Sequence, residues 1–177
     1  AINYTFNGNT TTPFPTGGTW PTPNNVVIGG NITINNTTPF TLNGTLTINT
    51  SRTLKLNTVI GANINLKNTM TVNGTFDSNG QNVIVDGGGT ANLVVNGTFI
   101  TRDTDGFNGV NASVPNIPIT MGSNGTVDYA GASQPITNTP YRNLKISGTG
   151  TKTLGNSLIT ASGNLNVSST STLLKIE

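Results

Sequence analysis

A short turn sequence recurs along the chain and constrains its fold more than any other feature: Asn-Gly-Thr between two apolar residues. Copies occur at Asn43-Gly44, Asn73-Gly74 and Asn96-Gly97, and a weaker copy, preceded by Ser, at Asn124-Gly125. Successive copies are 30, 23 and 28 residues apart. A repeat period of 20 to 50 residues is typical of solenoids and other repeat proteins. We therefore expect one structural unit to be stacked several times.

The segments between these turns alternate apolar and polar residues. Ile32-Thr33-Ile34, Leu54-Lys55-Leu56 and Leu165-Asn166-Val167 are examples. A period of two predicts strands with one face toward a core. No segment shows an apolar stripe at the 3.6-residue period of a helix, so essentially no α-helix is expected.

Two all-β folds fit this pattern. Asn-Gly between alternating strands is a strong hairpin signal, which allows an antiparallel sandwich or meander. The long period and the similar setting of each turn favour a right-handed parallel β-solenoid of six or seven coils, with Asn stacked on Asn and Thr on Thr. The residues expected to point inward are Leu42, Leu46, Ile48, Val72, Phe76, Val95, Phe99, Leu144 and Ile146.

Charge and residue types narrow the possible functions. Charged residues make up 8% of the chain, against about 25% in ordinary soluble domains. The chain has no Cys, which excludes disulfides and thiolate metal sites, and no His, the commonest general base. Its eight basic residues are scattered singly, so nucleic-acid binding is not expected. No apolar run reaches membrane-helix length, so no membrane insertion is expected either. The low charge favours an extracellular location.

The chain is expected to divide into two parts. Residues 1–24 are rich in Pro and aromatic residues and are predicted to be a cap, with Trp20 over the first coil, or a linker. Residues 25–177 are predicted to form the solenoid, with a loop excursion at 102–118, where the alternation breaks. Residues 173–177, whose apolar members are Leu173, Leu174 and Ile176, predict a last strand that another coil or another molecule covers.

One segment resembles part of a metal site. Asp103, Asp105 and Asn108 have the spacing of half a calcium loop, and their oxygens are the ligands that calcium prefers. The remaining acidic ligand is missing, because the next acidic residue is Asp128. An Asx-type turn is therefore the favoured interpretation, and no cofactor is predicted.

Parts of the sequence also fit a catalytic or an ice-binding function. Glycoside chemistry needs two carboxyl groups roughly 5–10 Å apart, and Asp77 and Asp86 are the candidate pair. Solvated turn residues are the favoured interpretation of both, and the chain is predicted not to be an enzyme. Thr-x-Thr pairs such as Thr45/Thr47 and Thr69/Thr71 are typical of ice-binding faces. Their unequal spacing favours ordinary strand alternation.

The segment from Val127 to Val167 carries a family resemblance. It contains Val127-Asp-Tyr129-Ala-Gly131, then Tyr141-Arg-Asn143-Leu144-Lys-Ile146, and it ends on Ala161-Ser-Gly163-Asn164-Leu165-Asn-Val167. This resembles the repeat unit of very large secreted surface proteins and adhesins of gliding Bacteroidetes-type bacteria. The resemblance implies a β-helical extracellular segment that acts in adhesion or in surface filaments, and it implies no catalytic residues.

The function expected from the sequence is therefore structural or adhesive, at the cell surface. The expected partners are other copies or adjacent repeats of the same surface protein, stacked end to end, and surface glycans. The alternatives are a polysaccharide-binding or polysaccharide-cleaving β-helix protein and an ice-binding solenoid.

Overall fold

The structure is a computed structural model that describes residues 2–12, 22–58, 63–87, 89–154, 159–168 and 172–176. Within these ranges the chain forms strands and no helix. The strands are, in chain order, β1 (Tyr4–Phe6), β2 (Asn9–Thr12), β3 (Val26–Ile28), β4 (Asn31–Ile34), β5 (Phe40–Leu42), β6 (Leu46–Ile48), β7 (Thr53–Leu56), β8 (Ile64–Leu66), β9 (Thr69–Val72), β10 (Thr75–Asp77), β11 (Val83–Val85), β12 (Asn92–Val95), β13 (Thr98–Thr101), β14 (Ile119–Met121), β15 (Thr126–Tyr129), β16 (Gln134–Ile136), β17 (Asn143–Ile146), β18 (Gly150–Leu154), β19 (Leu165–Val167) and β20 (Thr172–Ile176).

These strands form four parallel sheets that are stacked as a β-solenoid of about seven turns. Sheet A has the order β1-β3-β6-β9-β12-β14, and sheet B has the order β2-β4-β7-β10-β13-β15-β17-β19. The third side consists of sheet C, β5-β8-β11, and sheet D, β16-β18-β20. The predicted parallel solenoid is thus confirmed. The hairpin alternative is wrong, because the strands on the two sides of a turn belong to different sheets.

The core consists of columns of apolar residues, and each coil contributes one residue to each column. In sheet B, Leu54, Phe76 and Phe99 are register partners in successive strands. Each is 0% exposed, because the pleat alternates inward and outward residues. All the predicted inward residues are at most 3% exposed, which confirms the prediction for Leu42, Leu46, Ile48, Val72, Phe76, Val95, Phe99, Leu144 and Ile146.

The Asn-Gly turns occupy two different corners of the coil, which the sequence did not indicate. Asn73-Gly74, Asn96-Gly97 and Asn124-Gly125 lie between sheet A and sheet B, whereas Asn43-Gly44 lies between β5 and β6. The corner that matches Asn73 in the preceding coil is at Asn49, which follows β6. The 30-residue spacing from Asn43 to Asn73 is therefore not the length of a coil, and the predicted equivalence of all four turns is wrong.

Polar ladders run between the coils, as predicted. Asn96 Nδ2 donates to Asn73 Oδ1 at 2.8 Å, so these corner amides stack directly. In sheet B, Thr75 is the register partner of Thr53 and Thr98. A further type of ladder was not predicted: Asn31 Oδ1 accepts a hydrogen bond from the backbone N–H of Thr53 at 3.0 Å. Asn side chains thus satisfy backbone donors of the next coil.

The N-terminal segment already contains solenoid strands. β1 and β2 pair in parallel with β3 and β4, so residues 4–12 contribute the first strands of sheets A and B. Thr10 is opposite Ile32 in this register and is exposed. The predicted position of Trp20 lies outside the described residues, as do residues 13–21.

Residues 102–118 contain no named strand, but their centre is packed. Phe107 and Val114 are 0% exposed and belong to the hydrophobic core, where the Phe107 ring meets that of Phe99 edge-on at 4.9 Å. Val110 at the tip is 78% exposed. The segment is an enlarged side of one coil, with a packed centre and an exposed tip.

The core is open at β19. Leu165 and Val167 are register partners of the buried Leu144 and Ile146 and so occupy inward positions. They are nevertheless 59% and 48% exposed, because no described strand covers the other edge of β19.

Candidate functional site

The candidate catalytic carboxylates lie in different sheets. Asp77 ends β10 in sheet B, and Asp86 follows β11 in sheet C. Asp77 Oδ1 is 3.3 Å from Arg102 Nε, and Asp86 Oδ2 is 3.4 Å from Lys67 Nζ. Each carboxylate thus has its own cation. Asp77 is only 6% exposed, so the prediction that it is a solvated turn residue is wrong.

A third ion pair repeats this arrangement. Asp128 is 2.8 Å from Lys145 Nζ and accepts a hydrogen bond from the Ser147 hydroxyl at 2.6 Å. Asp128 and Lys145 are register partners in β15 and β17. The three ion pairs all join adjacent coils, a geometry suited to holding coils together. The Lys or Arg side chain of each pair is about 40% exposed, so solvent screens the attraction, and each pair contributes about 0–1 kcal/mol.

The candidate calcium residues form a turn. Asp103 Oδ1 accepts the backbone N–H of Asp105 at 2.9 Å, which is the geometry of an Asx turn. The backbone N–H of Asn108 donates to Thr137 Oγ1 at 3.2 Å. Burial is the main cause that raises the pKa of the Asp103 carboxyl, which disfavours its charged form. Over the described ranges, no group of three or more acidic residues is placed to hold a metal ion.

A buried hydroxyl network that was not predicted from the sequence lies inside the later coils, among the apolar core residues. Tyr129 and Tyr141 are hydrogen bonded through their hydroxyls at 2.6 Å, and Tyr141 also donates to the carbonyl of Thr137 at 2.6 Å. Nearby, Ser113 Oγ lies 2.9 Å from Thr101 Oγ1 and 3.2 Å from Ser78 Oγ. Tyr129 follows Val127 by two residues in β15, so the alternation places both side chains on the inner face. Because a buried Tyr hydroxyl requires a hydrogen-bond partner, an inward Tyr129 implies a polar network around it.

This network predicts alkaline destabilisation. Burial raises the pKa of Tyr129 and of Tyr141 above the usual 10.0, so the unfolded chain loses these protons first. The contribution of these two hydroxyl groups to the free energy of unfolding is complete below pH 10 and is lost as the pH rises further. We expect the urea midpoint to fall more steeply between pH 9.5 and 11 in the wild type than in Tyr129→Phe/Tyr141→Phe. Equal slopes for both proteins would contradict this assignment.

A second interior group is Lys152, which is 0% exposed. Its Nζ donates to the carbonyls of Gly131, Ala132 and Thr149 at 2.5–3.0 Å. Burial lowers the pKa of Lys152 despite the nearby charge of Asp128, so its contribution to stability increases as the pH rises toward 10.5. Sequence alternation places Lys152 on one face of β18 but does not show that this face is the inner one.

Two grooves mark the surface of the later coils. One, of about 350 Å³, lies on the outer face of sheet B and is lined by Thr98, Thr126, Asn143, Leu144, Lys145, Asn164 and Asn166. The other, of about 390 Å³, lies beside β14 and is lined by Ile119, Thr120, Met121, Pro140, Tyr141, Arg142 and Ser162. Neither groove was predicted from the sequence.

The Thr pairs are in register over two coils. Thr47 and Thr71 are partners in β6 and β9 on the outer face of sheet A. The next outward residues in this column are Val27 on one side and Val94 on the other. The Thr column of sheet A therefore covers two strands. In sheet B an outward Thr column covers four strands, at Thr53, Thr75, Thr98 and Thr126, but the neighbouring outward column contains Lys55, Asp77, Ile100 and Asp128 and no Thr. The Thr residues thus form no two-dimensional array in these strands, which favours the ordinary-alternation interpretation over an ice-binding face.

Comparison of the chain with protein-family models, curated proteins and solved structures gives no match. The resemblance to bacterial surface proteins thus depends on residues 127–167 alone. Within the described part of the chain, no helix is long and apolar enough to cross a membrane.

Proposed function

We propose that the chain is a structural and adhesive element of the extracellular surface, a β-helical segment of an adhesin or filament without enzymatic activity. The observation that carries this proposal is the continuity of sheet B, whose eight parallel strands span the whole stack. Side-chain ladders and ion pairs reinforce the same coil-to-coil contacts. An assembly of this kind provides length and stiffness and presents its corners, such as the tip at Val110, along one side.

The open edge at β19 supports growth by stacking. Leu165 and Val167 expose apolar side chains at inward positions, and an unpaired strand edge accepts another strand. The proposed partners are therefore other copies or adjacent repeats of the same protein. The resemblance of residues 127–167 to repeats of secreted surface proteins supports the same assignment and the extracellular location.

We expect end-to-end association of the purified chain through this edge. Sedimentation velocity over a concentration series should show oligomers, and electron micrographs should show short rods. Val167→Lys should abolish association, because it places a charge in the inward column. Thr71→Lys adds the same charge on the outer face of sheet A and should leave association intact. A chain that stays monomeric at high concentration would exclude self-stacking and leave stacking on adjacent repeats.

A glycan surface is the second candidate, because the groove on sheet B is lined by hydroxyl and amide groups of Thr98, Thr126, Asn143 and Asn164. Incubation with surface polysaccharides tests this role and the non-enzymatic proposal together. Retention on the polysaccharide without shortening of its chains agrees with an adhesive role. Cleavage that disappears in Asp77→Asn/Asp86→Asn would overturn the proposed function.

A further inference from the structure

Sheet A ends two coils before sheet B does. β14 is the last strand of sheet A, whereas sheet B continues from β15 to β17 and β19. The cause is a change in coil length. Register partners Phe99 and Val127 are 28 residues apart, but Val127 and Leu144 are only 17 apart. The short coil has no strand to place against β14.

In the short coil, the chain crosses the side occupied by sheet A as an irregular segment that contains Tyr141. Tyr141 makes one isolated parallel bridge, which joins it to Ala161 of the following coil and not to β14. Arg142 holds the segment in place, since its Nε donates to the carbonyl of Ser123 at 3.0 Å and its Nη1 donates to that of Ser162 at 3.1 Å. The 390 Å³ groove lies between β14 and this segment.

The groove exposes an unpaired strand edge. Leu93 N–H donates to the carbonyl of Pro118, and Gly122 N–H donates to the carbonyl of Val95, so residues 118, 120 and 122 face β12. In a strand, successive residues direct their backbone groups to opposite sides. The N–H and C=O groups of Ile119 and Met121 therefore point into the groove, and within the described ranges no strand pairs with them.

The side chains of Ile119 and Met121 are only partly covered by other residues. Ile119 and Met121 are register partners of Leu93 and Val95, which are 0% exposed. Ile119 and Met121 lie at the same inward positions but are only half-buried, while Thr120 between them is exposed. A strand with apolar residues two positions apart would cover both side chains and pair with their backbone groups.

We propose that this groove binds an extended segment of a partner protein, which adds to β14 as one further strand. The three residues of β14 span about 10 Å, so the bound motif is about three residues long, apolar at its first and third positions. Pro140, Tyr141 and Arg142 close the far side of the groove. It therefore admits one isolated strand and excludes the multi-stranded edge of a second solenoid. Backbone pairing provides affinity, and the alternate side chains provide specificity.

The test uses a labelled peptide with the sequence of residues 91–97 and a solubilising Lys-Lys tail, because β12 already pairs with the other edge of β14. We expect saturable binding by fluorescence anisotropy. Met121→Pro removes a groove-facing N–H and leaves the ladder to β12 intact, so binding should weaken at least tenfold. Thr120→Ala changes an outward side chain on the same strand and should bind as the wild type does.

Hydrogen exchange on the wild-type protein gives a readout that does not depend on the folding of the proline variant. The amides of Ile119 and Met121 should exchange rapidly in the free protein and slowly with the peptide bound, whereas the amide of Thr120 should be protected in both. Absence of binding at millimolar peptide, unchanged exchange at Ile119 and Met121, or full binding by folded Met121→Pro would each overturn the proposal. So would a dimer of the chain that protects these amides without peptide.

Discussion

Phe99→Ala is expected to lower the free energy of unfolding by about 4 kcal/mol, within the range for truncation of a buried Phe. The Phe99 side chain is 0% exposed, and its ring meets Phe76 at 5.0 Å and Phe107 at 4.9 Å, both edge-on. Truncation removes both ring pairs and leaves a cavity. The coils above and below cannot collapse into it, because ladder hydrogen bonds fix the spacing of β13 from β10 and β15.

Urea denaturation followed by circular dichroism measures this loss. Ile100→Ala is the matched control, because Ile100 follows Phe99 in β13 and its half-buried side chain points outward. Its truncation should cost less than about 1.5 kcal/mol, since only part of its apolar surface is removed from water. If Ile100→Ala cost as much as Phe99→Ala, the assignment of inward and outward faces in sheet B would be wrong.

Gly97→Ala is expected to cost about 3 kcal/mol, the upper part of the range for overpacking a tightly packed interior. A Cβ at Gly97 would lie 2.1 Å from the carbonyl oxygen of Gly74 and 2.6 Å from that of Asn73. These are backbone atoms of the coil beneath. They cannot move away, because Gly97 N–H donates to the carbonyl of Val72, and Thr98 N–H donates to that of Gly74, both at 2.8 Å.

Gly87→Ala provides the comparison for this effect, because a Cβ at Gly87 meets no atom within 4 Å. Thermal or urea unfolding should show stability close to that of the wild type for Gly87→Ala and a clear loss for Gly97→Ala. Similar losses in both variants would indicate that the cost arises from glycine replacement in general. It would then not arise from the contact between stacked corners.

The fold was predictable because two independent patterns agree. The period-two alternation fixed which residues point inward, and the recurring Asn-Gly turn indicated stacking. The position of each turn within its coil was less accessible. Asn43-Gly44 and Asn73-Gly74 have the same local sequence but occupy different corners, since a tight Asn-Gly turn suits any corner where two backbones approach closely.

The candidate sites were less predictable, because they depend on register between coils. Asp77 and Arg102 are 25 residues apart, and their pairing follows only from the stacking of β10 on β13. The groove beside β14 depends on one coil being shorter than the one before it. Sequence spacing cannot reveal a short coil until the strands on both sides of it have been aligned.

The buried polar groups could not be predicted from the sequence for a different reason. Tyr129, Thr101 and Lys152 follow the alternation, but their polar atoms are satisfied by local loop carbonyls and hydroxyls that no pattern specifies. Residue type alone places Lys152 at the surface, whereas three carbonyl acceptors make its burial tolerable.

The parallel ladders of sheet B also determine how the molecule would respond to mechanical load. Hydrogen bonds between parallel strands run along the stacking axis, so tension between the two ends pulls each interface apart directly. Each coil contacts mainly its neighbours, so failure at one end need not spread through the stack. Release of one coil of 22 residues, the interval between Asn31 and Thr53, would add about 75 Å of extended chain. A molecule built in this way would yield in steps and dissipate work at each one, while the remaining coils continued to bear the force.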